Sequence, residues 1–302
     1  MELSEEFLKS YVSLLATIEQ DLNPAAELEA VRAEVISGQR LLAHTRIFTD
    51  GTEKVLASIR VHPLDKETWI LTELKVRADL DLSCKVRATD LIPEAMSVAM
   101  SECTRKVETR ISSTGLFKEY RDALVVAGFK YHGDRVEFKT AVSELPDDTG
   151  TPFTWKAMTT EDRNEVAQLL GSVGHGDPDW DEQDDPACLL EEYLSDPILT
   201  RTFDTVQIGH LDDQVAALVI AQVATKTRWS RITYLGLLPQ FRGKGYGHWV
   251  HKHGFTMIKS QRGRTYQGGC SSINRPMLSL FRRHGCREHL LMQDWIWRAR
   301  GS

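Results

Sequence analysis

The stretch Leu235-Gly-Leu-Leu-Pro239-Gln-Phe-Arg242-Gly-Lys-Gly245-Tyr-Gly247 decides how this chain is read. Just before the loop, Ile232 to Leu238 reads as a buried strand, and Pro239 ends it. Just after it, Tyr246, Trp249, Val250, His253 and Met257 recur at helical spacing and make the inward stripe of an amphipathic helix. A glycine-rich loop between the two presents backbone N–H groups at a helix N-terminus, where the partial positive charge favours a phosphate. Glycines let the backbone approach the anion closely. Arg242 and Lys244 add cationic charge at the rim.

Spacing excludes two of the phosphate ligands that such a loop can hold. A nucleotide P-loop needs Gly-Lys followed by Ser or Thr, and here Gly243-Lys244 is followed by Gly245. The dinucleotide fingerprint GxGxxG opens a βαβ unit near its start, whereas this loop reads Gly243-x-Gly245-x-Gly247 and lies late in the chain. The stretch resembles instead the R/Q-x-x-G-x-G motif of the GCN5-related N-acetyltransferase (GNAT) superfamily, with Arg242, Gly245 and Gly247 on its fixed positions. Downstream, Asn274-Arg-Pro-Met-Leu-Ser-Leu-Phe281-Arg-Arg-His-Gly285-Cys286 is similar to the family's Asn-containing helix and the strand that follows it.

The resemblance implies acetyl-CoA, or another acyl-CoA, as co-substrate. The amides of Arg242, Gly243, Lys244, Gly245, Tyr246 and Gly247, with Gln240 beside them, would hold the pyrophosphate. The main chain at Leu237 and Leu238 would pair with the pantetheine arm, and a strand N–H would polarise the thioester carbonyl. Asn274 and Phe281 would flank the thiol end. It also implies direct attack by an amine in a ternary complex, with a carboxylate as base and a tyrosine reprotonating the thiolate. The matching tyrosine position holds Phe281, which has no proton to give, and the strand Arg231-Ile-Thr-Tyr-Leu-Gly carries no carboxylate. Tyr234 is the nearest hydroxyl on that strand and the candidate catalytic residue, with a core aromatic as the alternative.

Outward from the loop, the order of elements occurs twice. In the C-terminal half, helices are expected from Thr159/Thr160 to Leu170 and over 187–194, strands over 202–209, 214–224 and 230–238, then a helix over 246–260, a strand over 265–270, a helix over 275–284 and a strand pair over 286–298. The N-terminal half gives helices over 3–20 and from Asn23-Pro24 to Gly38, and strands over 41–49, 54–61 and 68–76, the first two joined at Asp50-Gly51. A helix over 90–104, a strand over 107–112, a helix over 117–127 and a hairpin about Gly133-Asp134 follow. Gly128 and Gly285 mark the same point of the two copies. The expectation is an α/β chain of two tandem GNAT-like domains, each a mixed central sheet flanked by helices: a degenerate copy over 1–142, a linker over 143–152, and the acyl-CoA-binding domain over 153–302. In place of a glycine loop the first copy has Val76-Arg-Ala-Asp79-Leu-Asp81, whose carboxylates would repel a pyrophosphate.

With 302 residues, 41% of them hydrophobic and 26% charged, the chain reads as a globular, cytoplasmic protein. A net charge of −6 speaks against nucleic acid as a partner, and no apolar run reaches the roughly 18 residues of a membrane span. The five cysteines, Cys84, Cys103, Cys188, Cys270 and Cys286, form no CxxC pair and read as reduced thiols. His248-x-x-His251-x-His253 invites a metal, but His253 turns away from the other two and no carboxylate joins them, so none is expected. The acidic run Asp177-Pro-Asp-Trp-Asp-Glu-Gln-Asp-Asp-Pro186 is either a solvated face or an attraction for a cationic amine, whether small molecule or peptide. An N-acyltransferase leads. A non-catalytic acyl-CoA-binding or regulatory module and a tRNA-dependent aminoacyl transferase are the alternatives.

Overall fold

The computed structural model describes residues 5–16, 44–49, 54–63, 68–72, 74–77, 79–102, 104–112, 118–182, 184–195, 199, 203–225 and 227–299. The helix expected from Asn23 to Gly38, the turn at Asp50-Gly51 and Cys103 lie outside these residues. The chain divides into two compact units, Met1–Gly133 with Met292–Ser302, and Asp134–Leu291.

In the first unit, α1 (Glu5–Ala16) buries Tyr11, Val12 and Leu14 with Val55. The sheet comprises β1 (Thr45–Thr49), β2 (Val55–Pro63), β3 (Thr68–Leu71), β5 (Lys106–Ser112) and residues Met292–Arg298 of β12 (Glu288–Arg298), in that order, with the short β4 (Lys75–Val76) pairing on β2. Its pairs are antiparallel except β3 with β5. A parallel pair needs a crossover, here the helices α2 (Leu82–Ala88) and α3 (Leu91–Ser101). Ile92, Ala95, Met96 and Ala99 of α3 meet Val61, Leu71 and Ile111 in the core. At the point that corresponds to the glycine loop, Asp81 caps α2, its carboxylate accepting from the Cys84 amide and the Ser83 hydroxyl, both at 2.8 Å. An internal anion therefore takes the amide that a phosphate would use. Helix α4 (Lys118–Val126) follows β5.

The second unit takes β6 (Lys130–Ala141) from Asp134 onward, then β7 (Thr154–Ala157), α5 (Arg163–Gly174), α6 (Pro186–Ser195), β8 (Val206–Leu211), β9 (Gln214–Val223), β10 (Trp229–Leu237), α7 (Gly247–Ser260), β11 (Thr265–Ser271) and α8 (Arg275–Arg283). Its order is β7-β8-β9-β10-β11-β6, antiparallel except for β10 with β11. Alternation along β9 decides the layers. Ala217, Val219, Ala221 and Val223 pack with Val250, Phe255 and Ile258 of α7, while Leu218 and Ile220 pack with Val166, Leu170 and Val173 of α5. The Thr159 amide and hydroxyl both donate to the Asp162 carboxylate at 2.8 Å and fasten the turn before α5. The helix begins after Asp162, so the cap expected at Thr159/Thr160 does not form: the threonine hydroxyl donates to the N-cap residue and accepts from no first-turn amide.

The repeat is visible where the two last helices end. Phe129 N–H donates to Leu124 O and Cys286 N–H to Phe281 O, each at 2.9 Å, with Gly128 at φ 91° and Gly285 at φ 72°. Both are the same left-handed helix stop, closed by a glycine that alone adopts this φ without strain.

The two hairpins expected next are each a single strand. Gly133 lies within β6 without a left-handed φ. From Asp134 on, β6 pairs with β11 of the second unit, and from Met292 on, β12 pairs with β5 of the first. Each copy's last strand thus completes the other unit's sheet, whereas a hairpin would leave an edge of β11 or β5 open. Residues 143–152, expected as a linker, are fastened to the second unit. Leu145 is buried, Lys259 Nζ donates to Leu145 O at 2.7 Å and pairs with Asp147 at 2.6 Å, and Arg287 pairs with Glu144 at 2.8 Å. No helix among the described residues is long and apolar enough to cross a membrane.

Candidate active site

Strands β10 and β11 pair only through Trp229–Ser230 and Thr265–Tyr266, and then part. A bulge at Thr233 interrupts the pairing of β10 with β9, and its hydroxyl donates to Gln222 Oε1 at 2.7 Å while accepting from Arg231 Nε at 3.0 Å. The opening is a cavity of about 530 Å³. Ile232–Leu237 of β10, Gly269 and Cys270 of β11, and Met277, Leu280 and Phe281 of α8 wall it, and both the glycine loop and the acidic loop reach it.

The glycine loop is built to present amides. Pro239–Phe241 form a single 3-10 turn anchored by the buried Phe241 ring. Gly243 and Gly245 then take φ of 73° and 84°, and a Cβ on either would meet nothing within 4 Å. Glycine is required there by the left-handed backbone, not by crowding. The first helical bonds of α7 run from the Trp249 and Val250 amides to Tyr246 O, so the amides before them open the helix at Gly247. Amides at a helix start, with exposed Lys244 beside them, fit a pyrophosphate.

Of the residues singled out from sequence, Tyr234, Leu237, Arg242, Gly243, Gly245, Gly247, Asn274 and Phe281 line the cavity. Gln240 is exposed on the 3-10 turn, and the Tyr246 ring packs edge-on against Phe153, 5.8 Å between centroids. Several of the expected contacts are already taken within the fold. Leu237 O accepts from Arg242 Nε at 2.9 Å, and Leu238 N–H donates to Ala216 O at 2.9 Å, so these two groups are engaged without a pantetheine arm. Arg242 also donates to Val173 O and His175 O, at 2.8 and 2.9 Å, and thereby clamps the end of α5 onto the loop. Asn274 caps α8 through Oδ1 to Met277 N–H (3.1 Å), and its Nδ2 donates to Asp177 (3.1 Å) and Asp179 (2.7 Å). Phe281 is buried and stacked on Phe138 at 4.2 Å. The Tyr234 hydroxyl donates to Val173 O at 3.1 Å, and burial pushes its pKa far up, so it holds its proton in a structural bond.

Sequence reasoning missed how the acidic loop folds inward. Asp179 accepts from Arg135 Nη1 at 3.1 Å and from the Ser271 amide at 2.6 Å. Asp177 lines the cavity, and burial, joined by the Asp179 charge, raises its pKa against the bond from the Asp179 amide. Trp180 meets Tyr234 edge-on at 6.0 Å. The histidines of α7 part company. His253 lies flat on Trp155 at 3.8 Å with Nε2 2.7 Å from Gln207 Oε1, whereas His251 is fully buried with Nδ1 3.0 Å from Nδ1 of His284. No group of metal-ligating side chains occurs among the described residues.

No protein-family model matches the chain, and no curated protein matches it in sequence. Solved structures match its fold. A GCN5-related N-acetyltransferase from Sphaerobacter thermophilus superposes with a TM-score of 0.71 at 12% identity, over 98% of this chain and 97% of the other. A tandem GNAT protein from the clavulanic acid biosynthesis pathway gives 0.63 at 10% identity, over 99% and 97%. A GCN5-related glucosamine N-acetyltransferase region of a fungal multi-domain β-N-acetylglucosaminidase gives 0.64 at 12%, over 98% of this chain and 37% of that one. At such identities the likeness shows the fold.

Proposed function

From a chain with the tandem GNAT fold, we propose that the second unit is an acyl-CoA-dependent N-acyltransferase that moves an acetyl group to a primary amine. The observation that carries this reading is the glycine loop at the start of α7, opening straight into the groove between the parted strands β10 and β11. A pyrophosphate on the loop amides points the rest of an acyl-CoA into that groove. The amine lone pair attacks the thioester carbonyl, a C–N bond forms and the C–S bond breaks. Of the four aspartates that line the groove, Asp177, Asp179, Asp181 and Asp184, Asp177 is the one assigned to the amine proton, because burial raises its pKa and makes it a stronger base than an exposed carboxylate. The acidic loop around it attracts an amine that arrives as a cation. Its aromatic wall, Trp180 and Tyr193, suits an acceptor with an apolar body.

One observation favours a second reading, a non-catalytic acyl-CoA-binding module: Phe281 has no hydroxyl, and that of Tyr234 is bonded to Val173 O. Thermal unfolding with acetyl-CoA, followed by an amine panel, separates the two. Ligand at a hundredfold its Kd stabilises the native state by about 2.7 kcal/mol. The expected result is a raised Tm for the wild type and none for Gly245→Glu, where a side chain strains a φ of 84° and sets a negative charge at the anion site. Acetyl transfer to an amine then selects the enzyme. Binding without transfer selects the module, and an equal rise in folded Gly245→Glu would displace the site from this loop.

A further inference from the structure

The groove wall continues inward as a chain of buried acid–base groups that the mechanism above leaves unused. Tyr266 on β11 lines the cavity and is 1% exposed. Its hydroxyl stands 3.5 Å from Nε2 of His251, and Nδ1 of His251 stands 3.0 Å from Nδ1 of His284, the C-cap of α8. Two ring nitrogens in such contact share one proton, so one donates and the other accepts. With the proton on Nδ1 of His284, the neutral His251 carries its own on Nε2 and donates towards the Tyr266 oxygen. That donation leaves the tyrosine O–H free to point elsewhere. Burial holds both imidazoles neutral, His251 well below 6.5 and His284 down to about 4, and keeps the proton on Tyr266. The charged and titratable neighbours are His248, Lys252 and Arg283 around His284, and Cys270, Cys286 and Glu137 around Tyr266.

The position of this hydroxyl is informative. A Cβ built on Gly268 would lie 2.5 Å from the Tyr266 hydroxyl and 3.1 Å from Cε1 of Phe281, so the two rings meet over one glycine. Phe281 is the residue at which a tyrosine was expected and is absent. A phenol from β11 is therefore presented beside the ring edge that lacks one, on the same cavity wall.

Resting on the acyltransferase reading, we infer that Tyr266 is the catalytic acid of this groove and that His251 and His284 are its positioning residues. As the C–S bond breaks, its electron pair stays on sulfur, and the Tyr266 O–H proton passes to that sulfur. The tyrosinate left behind accepts from His251 Nε2–H and regains the proton that the amine released, so no net charge or proton is left over. Tyr266 itself touches the reacting atoms, whereas the two histidines act through it.

The test is steady-state transfer from acetyl-CoA to an amine acceptor of the wild type, with the acetyl-CoA-dependent Tm shift measured alongside. Tyr266→Phe is expected to lower kcat by about a hundredfold while KM for acetyl-CoA and the Tm shift stay unchanged. Adding Phe281→Tyr to that variant is expected to recover about tenfold, because it returns a phenol to the same wall. His284→Gln, which keeps Tyr266 but releases the tautomer of His251, is expected to lower kcat about tenfold at unchanged KM, and it tests the proposal should Tyr266→Phe fail to fold. A Tyr266→Phe kcat within about twofold of wild type, or a fall accompanied by loss of the Tm shift, overturns the acid role. An unchanged kcat in His284→Gln overturns the positioning role. A wild type that binds acetyl-CoA but acylates no amine sinks the acyltransferase reading and the acid role with it, and is told apart because it appears before any substitution is made.

Discussion

Arg242 shows how far a motif residue can be read on its own. Its place in R-x-x-G-x-G put cationic charge at the phosphate rim, yet the guanidinium spends three bonds on the carbonyls of Leu237, Val173 and His175. Hydrogen bonds from a charged donor contribute more than neutral ones, and while Val173 O keeps the Tyr234 hydroxyl and His175 O faces solvent, the part-buried Leu237 O loses its guanidinium donor. Arg242→Ala is therefore expected to cost about 3 kcal/mol in urea unfolding. Arg242→Lys should recover less than half of that, because an ammonium cannot fork to three acceptors from one plane. Equal stability of Arg242→Lys and the wild type would show that the clamp is not what holds α5 to the loop. The glycines were legible from sequence because a left-handed φ is a property of the residue itself. The partners that Arg242 finds in Val173 and His175, Asn274 in Asp177 and Asp179, and Tyr266 in His251 were not, since each lies on another element, and nothing in the local pattern around Phe281 points to a phenol on β11.

Elements were legible where their ends carry a chemical signal. Gly128 and Gly285 mark the same helix stop in the two copies, and both sit at positive φ. The two positions differ in what surrounds them. A Cβ on Gly285 would meet nothing within 4 Å, while one on Gly128 would lie 3.2 Å from Cδ1 of Trp297. Gly285→Ala is expected to cost about 1 kcal/mol from backbone strain alone. Gly128→Ala should cost more, by whatever shift the indole must make, and an equal loss in the two variants would contradict the contact. The hairpins at Gly133-Asp134 and within 286–298 were misread for a related reason. At Gly133-Asp134 a glycine beside an aspartate signals a turn, but the pairing of β6 with β11 outweighs that local preference, while 286–298 holds no glycine and runs on as one strand that pairs with β5. Such pairing joins residues far apart in sequence, which no turn signal records.

At the scale of the molecule, duplication was legible from the order of elements, and the exchange of last strands between units was not, because it leaves that order unchanged. The second unit also buries a set of histidines whose charge was invisible in the sequence, where His248, His251 and His253 offered only their spacing. Burial keeps His251 well below 6.5 and brings His253 and His284 down to about 4. In the unfolded chain each titrates near 6.5, so between about pH 6.5 and 4 the unfolded state binds more protons. Their contribution to stability is complete above pH 6.5 and is lost as the pH falls towards 4, at up to about 1.4 kcal/mol per pH unit for each histidine. Asp148, which faces His253 at 3.5 Å, and Asp177 oppose this, because burial raises their pKa and favours the folded state as they protonate. His44, His62 and His248, lowered by burial as well, act in the same direction as these three, so six histidines stand against two carboxyls and leave the histidines in control. The midpoint of thermal unfolding is therefore expected to fall steadily from about pH 7 to 4.5, and His284→Gln should flatten that slope by removing one titrating site. A midpoint whose slope to pH 4.5 is the same in His284→Gln as in the wild type would mean that this ring is protonated or hydrated in the folded state, and the neutral His251–His284 pair that orients Tyr266 would then have no basis.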